Sequence, residues 1–369
     1  MKRLTIMIFT LVCGSNMINA QTAKYSNEFL SIGVGARSLA MGNAQVATVN
    51  DATSGYWNPA GLLGIKTDLQ FGLMHSEYFA GIAKYDWGAV GIPLKAENQM
   101  IGISLIRFAV DDIPNTLFLI EPDGSINYDN ISSFSVADYA FIFSYARALP
   151  IEGLTVGANA KVIHRTAGSF ATAWGFGLDA GAQYAMKNWR FGVMLRDVTS
   201  TFNAWSFNFT DEEKNILTQT GNEIPVSSLE ITTPKIILAV AYDIKIKDKL
   251  TIRPEIDFDI STDGMRNVLI SSSPFSIDPH LGLELGYSDI IYVRAGINNI
   301  QRHLDEVVPA DSTADITYEK VFTLQPNIGV GLKIKNVQLD YAYTNIGNVS
   351  DALFSHVFSV ILGFNKKTK

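Results

Sequence analysis

The chain has 369 residues, 47% of them hydrophobic and 18% charged, with 29 glycines and 21 Phe, 14 Tyr and 5 Trp spread along its length. That composition excludes a disordered or collagen-like chain, and beyond the first twenty residues no apolar run reaches the roughly 20 residues a spanning helix needs, which excludes a helical transporter. A formal net charge of −7 argues against a nucleic-acid partner.

Residues 1–20 read as a secretory signal: Lys2 and Arg3, an apolar stretch from Leu4 to Val12, then Ile18-Asn19-Ala20 ending in a small residue. Cleavage would make Gln21 the first mature residue and, by removing those two cations, take the charge from −7 to −9. Cys13 is the only cysteine and lies inside the signal. The mature chain is therefore expected to hold no disulfide, thiol nucleophile or thiolate metal ligand. Acylation of Cys13 is the weaker alternative, because Leu11-Val12 lacks the small residues such processing prefers.

Between Gln21 and about Lys66 no two-residue period is present. Small residues dominate instead, in Gly33-Val34-Gly35-Ala36-Arg37-Ser38-Leu39-Ala40-Met41-Gly42-Asn43-Ala44 and again from Asn50 to Leu62. Asn58 before Pro59 suits a helix N-cap with proline at the first helical position.

From about Thr67 to Phe364 apolar residues alternate with polar residues or glycine, the period that sends successive side chains to opposite faces of a sheet. Leu250, Ile252, Pro254, Ile256, Phe258 and Ile260 share one face, opposite Thr251, Arg253, Glu255, Asp257 and Asp259. The pattern predicts fourteen strands, centred near Gly72, Ala83, Ser104, Ile142, Asn159, Gly177, Val193, Ala239, Glu255, Leu283, Val293, Ile328, Leu339 and Val360. An even number of strands, each about 9 to 14 residues long, fits an outer-membrane barrel with both chain ends on the periplasmic side. A soluble β-sandwich is the alternative, but its strands are shorter and its aromatics lie in the core.

Connection lengths give a second test. Starting from the periplasm, every even-numbered connection is short: Lys95 to Asn98, Leu149 to Glu152, Met186 to Asn188, Lys247-Asp248, Ser288-Asp289 and Lys335-Asn336. The long segments, Asp111 to Val136, Ser200 to Thr232, Ser261 to Ile277, Ile300 to Val321 and the shorter Asn345 to Ala352, are all odd-numbered. Short periplasmic turns and long external loops build such barrels. Trp174, Tyr184, Trp189, Tyr242, Tyr287, Tyr341 and Tyr343 lie near strand ends on the apolar face, as interfacial girdles do. The final strand closes on Phe364 before Lys366, Lys367 and Lys369.

The residues that could carry chemistry are dispersed. His75, His164, His280, His303 and His356 have no helical i, i+4 spacing and are read as lumen or loop residues. No Gly-x-Ser-x-Gly is present, and Gly175-x-Gly177-x-x-Ala180 lies inside one alternating strand, so it is read as wall glycine and not as a dinucleotide turn. Asp257, Asp259 and Asp263-Gly264 miss the calcium-loop spacing, which wants glycine where Thr262 stands. Asp257 and Asp259 are expected instead on the inner face with Glu255, Glu284, Asp340, Asp179, Lys161, Arg190, Arg253 and Arg294, pairing across the lumen.

The string from Gly35 to Gly61 resembles the N-terminal hatch of FadL-like outer-membrane proteins, in which Gly-Ala-Arg-x-x-x-Met-Gly is followed by Asp-Ala and then Trp/Tyr-Asn-Pro-Ala-Gly. The matching residues are Gly35, Ala36, Arg37, Met41, Gly42, Asp51, Trp57, Asn58, Pro59, Ala60 and Gly61. Within that superfamily the Gly35-to-Gly42 wording is most similar to the PorV/PorQ family of Bacteroidetes-type bacteria. The resemblance implies a bacterial outer-membrane protein with a plug over residues 21–66 and a fourteen-stranded antiparallel barrel over 67–369. It implies no cofactor and no enzymatic activity. A barrel this wide needs a plug, because side chains alone cannot fill it, and Gly175, Gly177, Gly181, Gly329 and Gly331 are expected to leave room for one.

The same resemblance implies a role in type IX secretion, with outer-membrane lipid, secretion-system proteins and a cargo's folded signal domain as partners. The loops at Asp111 to Val136 and Ser200 to Thr232 would engage the cargo. A FadL-like channel for a hydrophobic small molecule is the alternative that the shared hatch motif leaves open. The secretion reading is the first expectation, because of the Gly35-to-Gly42 wording and because the predicted inner faces are polar or glycine.

Overall fold

The computed structural model describes residues 26–78, 81–94, 98–121, 123–247, 249–307, 317–344 and 355–366, with backbone alone at 302–307 and 317–320. The expected signal with Cys13, the turn residues Lys95 to Glu97, the tail at Lys367 and Lys369, and the loop segments 308–316 and 345–354 lie outside the described residues.

Among the described residues one antiparallel sheet closes on itself. Its strands are β1 (Leu69–Tyr78), β2 (Ala83–Pro93), β3 (Gln99–Asn115), β4 (Ser132–Ala148), β5 (Leu154–Ala167), β6 (Ala171–Met186), β7 (Trp189–Arg196, resumed as Thr201–Phe207), β8 (Ser228–Thr232, Lys235–Tyr242 and Ile244–Ile246), β9 (Leu250–Ser261), β10 (Ser276–Tyr287), β11 (Ile291–Val307), β12 (Thr317–Ile334), β13 (Val337–Thr344) and β14 (Ser355–Phe364). A two-residue strand, Ile270–Ser271, pairs with the top of β10. β1 pairs with β14 from Leu69↔Phe364 to Glu77↔His356, which completes a fourteen-stranded barrel without a free edge. Closure satisfies every ladder within the sheet, the condition for strands to cross hydrocarbon.

Turn chemistry explains the even-numbered connections. Lys187, Lys247, Ser288, Asp289 and Lys335 all have positive φ, between 50° and 54°. Tight primed hairpin turns require that conformation.

The long connections differ from expectation. β3 and β4 rise well past the bilayer, so Asp111 to Asn115 belong to a strand, bent by a bulge between Val110 and Ile113 where Asp112 has φ 57°. Ser200 to Thr232 holds the upper parts of β7 and β8 around the helix Asp211–Gln219, whose Thr210 and Glu213 form a reciprocal capping box. Ala83 starts β2 and does not centre it.

The outer surface carries the apolar belt, with Leu73, Ile103, Phe143, Val293, Ile328 and Leu339 exposed. Aromatics ring its short-turn end, where Trp189 meets Tyr242 edge-on at 4.8 Å and Phe71 meets Phe364 at 5.9 Å. Three of the expected lumen or loop histidines face outward at the other rim: His75 bonds Asp86 at 2.7 Å, His164 stacks on Trp174 at 4.2 Å, and His356 bonds the Tyr341 hydroxyl at 2.7 Å. Only His280 points into the lumen, and the His303 side chain lies outside the described residues.

The inner wall is less polar than expected. Met74, Tyr78, Tyr85, Trp87, Ile106 and Ile163 are buried inside the barrel. In β2 the alternation is inverted, with Tyr85 and Trp87 inward and the ion-pairing Lys84 and Asp86 outward. Two conditions allow this: Lys84 and Asp86 each meet an opposite charge on β3, Asp111 and Arg107, and an apolar plug covers the inner side.

Residues Ser26 to Ile65 fill the lumen as short pieces, among them α1 (Ala36–Ala40), α2 (Ser54–Trp57) and the 3₁₀ turn Pro59–Gly64. Such brief helices have no stability of their own. Burial against the wall holds them, at about 1.5–3 kcal/mol for a fully buried side chain such as Met41, Val46 or Leu62.

Candidate functional site

Two features of the interior could serve transport: the junction of plug and wall, and the cavity above it. At the junction, carboxylates of β9 and β10 grip the plug. Arg37 sets Nε 2.8 Å from Glu284 Oε2 and Nη2 3.2 Å from Oε1. The backbone amides of Gln45 and Val46 both donate to Asp257 Oδ2 at 2.9 Å, the Ala47 amide donates to Glu255 at 2.8 Å, and the Thr48 hydroxyl donates to the same carboxylate. Each acceptor satisfies a buried amide that would otherwise go unpaired, at a cost of about 1–3 kcal/mol.

Arg37 enters a larger charge network. Glu284 also accepts from Arg294 at 2.7 Å and Arg253 at 3.0 Å; Arg294 continues to Asp340, and Arg253 to Asp243 and Arg190. The expected lumenal pairing of Glu284, Asp340, Arg190, Arg253 and Arg294 is therefore present. Lys161 likewise reaches Asp179 and Asp197. Glu255 and Asp257 instead hold the plug backbone, a role that side-chain charge counting cannot reveal.

The remaining hatch residues mostly shape the plug. Gly35 and Gly42 have φ 86° and 62°, and a Cβ on Gly42 would lie 2.7 Å from the Ile297 nitrogen. His280 Nδ1 lies 2.8 Å from the Gly42 carbonyl oxygen. The Ala36 amide donates to Ser359 Oγ, and buried Met41 packs on Gly282 and Gly296. Asp51 accepts from the Thr53 amide and hydroxyl, a local turn ahead of α2. The Trp57 indole donates to the Val34 carbonyl at 2.8 Å. Asn58 accepts from the Ala60 amide with Pro59 at the first position, the expected cap, on a 3₁₀ turn; its amide also donates to the Val46 and Ala182 carbonyls. Gly61 packs on Val49.

Wall glycines do make room for the plug, though not all the expected ones. Gly181 faces Asn58 and Gly329 faces Ala40. Gly175 and Gly177 accommodate Asn203 and Thr201 of the resumed β7, and Gly331 accommodates Asp340 and Arg294. Gly157, Gly192, Gly282 and Gly296, not singled out in the sequence, lie against plug backbone.

On the external side of the plug lies a cavity of about 690 Å³, within the usual range for small-molecule sites. Its apolar side comes from Phe29, Ile32 and Leu39 of the plug with Tyr78 of β1 and Phe108 of β3. Amides from β11 and β12 form the opposite side, with Asn327 donating to Asn298 at 2.9 Å. A small annex of about 50 Å³ shares Glu28, Lys235 and Arg266 with it and reaches Arg196, whose guanidinium lies over the Tyr56 ring at 4.4 Å.

The cavity's lysine and arginines are paired. Lys235 meets Asp259 at 3.4 Å, Arg165 meets Asp138 at 2.7 Å, and Arg266 meets Asp263 at 2.6 Å and Glu28 at 3.2 Å. Burial alone would raise the Asp263 carboxyl, but the Arg266 guanidinium outweighs it and holds the group below its ordinary range. Periodicity had no means of finding this cavity, because it lies between residues more than 200 positions apart.

No family model matches the chain, and no curated protein is similar to it in sequence. Its fold is similar to those of the Pseudomonas putida toluene transporter TodX (15% identity, TM-score 0.56, covering 90% of this chain and 98% of that one), the CymD monoaromatic hydrocarbon channel (14%, 0.56, 91% and 99%) and the Ralstonia pickettii toluene transporter TbuX (13%, 0.53, 90% and 99%). The fold is thus FadL-like. A closed, apolar-faced barrel of this kind belongs in the bacterial outer membrane.

Proposed function

We propose that this protein is a non-enzymatic outer-membrane channel that takes up a small, largely apolar molecule. The observation that carries the reading is the 690 Å³ cavity seated on the plug, with Phe29, Ile32, Leu39, Tyr78 and Phe108 as its apolar side. The names of the structurally similar proteins, toluene transporters and a monoaromatic hydrocarbon channel, support it. So does the apolar part of the inner wall, Met74, Tyr85, Trp87, Ile106 and Ile163, which weakens one of the two grounds for preferring the secretion role. In this reading residues 21–66 form the hatch and 67–369 the barrel. The hatch residues Gly35 to Gly42 and Trp57 to Gly61 hold the plug against the wall, and Arg37 is its principal anchor.

The test is uptake of radiolabelled toluene and of a labelled long-chain hydrophobe by cells with and without the chain. Loss of uptake on deletion supports the channel. Unchanged uptake of both probes argues against it.

The type IX reading rests on the Gly35-to-Gly42 wording and on the polar part of the inner wall. It requires that deletion release surface-attached cargo into the medium, so cell fractionation separates the two roles.

A further inference from the structure

The cavity's two sides differ in chemistry. Opposite the apolar residues stand Asn298, Asn299, Gln301, Gln325 and Asn327, a concentration of carboxamides that a pure hydrocarbon has no means to use. Unused, those amides would have to keep their water, and displacing ordered water with a group unable to replace its hydrogen bonds costs affinity. Some are tied to each other, Asn327 to Asn298 at 2.9 Å and Gln301 to Asn299 at 2.5 Å. Asn327 spends its amide hydrogens on Asn298 Oδ1 and the Gln325 carbonyl oxygen, at 2.9 and 3.1 Å, while the Asn298 and Gln325 side chains offer more donor hydrogens and lone pairs than those bonds consume. Three further polar atoms at the cavity, Thr344 Oγ1, Asn43 Oδ1 and Asp278 Oδ1, have no hydrogen-bond partner among the described residues.

Charge narrows the ligand further. Lys235, Arg165 and Arg266 each face a carboxylate of the same wall or loop at 3.4 Å or less, and His280 lies 3.6 Å from Asp278. An anionic ligand would have to compete with those carboxylates, and a cationic one with the guanidinium and ammonium groups. A neutral group able both to donate and to accept fits the amide side without disturbing any pair.

We infer that the cavity selects a neutral amphiphile: an apolar chain or ring lying on Phe29, Leu39, Tyr78 and Phe108, with a hydroxylated or amide-bearing end on Asn298 and Gln325. This rests on the channel reading and names its substrate class.

The experiment uses the full chain in lipid nanodiscs and measures equilibrium binding of monolauroylglycerol, laurate and toluene. The first two share one acyl chain and differ in head group and charge. Monolauroylglycerol is expected to bind at least about ten-fold more tightly than either other probe, the scale of one or two net hydrogen bonds. Asn298→Leu and Gln325→Leu should each weaken it several-fold while leaving toluene binding within about two-fold. Laurate or toluene binding as tightly as monolauroylglycerol overturns the inference while leaving the channel reading intact. Leucine variants that bind monolauroylglycerol like the wild type also overturn it. Binding of none of the three defeats both readings together.

Discussion

Arg37 and Glu284 stand 247 residues apart in sequence and meet through two hydrogen bonds, of 2.8 and 3.2 Å, that join the plug to the barrel wall. Both side chains are almost fully buried. Removing one partner of such a pair strands the other, which commonly costs more than the pair contributes.

Arg37→Ala is expected to loosen the plug. Glu284 keeps Arg253 and Arg294, so the loss should fall at or below the lower end of the ~3–5 kcal/mol typical of a broken buried pair. Influx of a bulky polar antibiotic should rise while the barrel keeps its heat-modifiable gel migration. Wild-type influx in a properly folded variant would show that the pair does not anchor the plug.

Gly296→Ala should also unseat the plug, because the new Cβ would lie 2.0 Å from the Met41 carbonyl carbon and 2.1 Å from the Gly42 nitrogen. Gly88→Ala is the control: its Cβ would meet Leu73 at an ordinary 3.5 Å. Protease sensitivity of residues 26–65 should increase in the first variant and not in the second. Equal sensitivity in the two would contradict the close approach at Gly296.

Ile328 faces outward from β12 and is 51% exposed. Ile328→Arg should lower stability by about 2–4 kcal/mol, the cost of a cation near the bilayer midplane of a barrel. Denaturant unfolding from lipid vesicles measures the difference. A change near zero would place this face outside hydrocarbon.

Asp263 is held below the ordinary carboxylate range, with Arg266 overriding the effect of burial. A depressed carboxyl contributes stability that is present above its unfolded value and disappears as pH falls through its folded value. Hydrogen-exchange protection in residues 262–269, corrected for the intrinsic pH dependence of exchange, should therefore be high at neutral pH and fall in acid below the usual carboxylate range. Asp263→Asn should remove that dependence and exchange quickly throughout. An acid response that persists in Asp263→Asn would assign it to another group.

Alternation along single strands was enough to identify the barrel. Leu250 to Ile260 displays its two faces without reference to any other residue, and the connections at Lys187, Ser288 and Lys335 are visibly short in the sequence. Which face looks outward is a different matter. Lys84 and Asp86 point away from the barrel axis while Tyr85 and Trp87 point toward it, because β3 supplies charge partners outside and a plug covers the inner side. The pattern in β2 is the same either way round.

Sequence by itself therefore determined the strand count and the closed architecture, since both follow from short-range periodicity and connection lengths; that the small-residue segment lies inside was implied by the family resemblance. The tertiary structure alone decided that Glu255 and Asp257 grip plug amides, that Gly282 and Gly296 admit Met41, and that five wall carboxamides face Phe29 and Phe108 across one cavity. The physical reason is barrel closure. It sets residues hundreds of positions apart against each other, and their partners depend on strand register and shear, which no local pattern encodes.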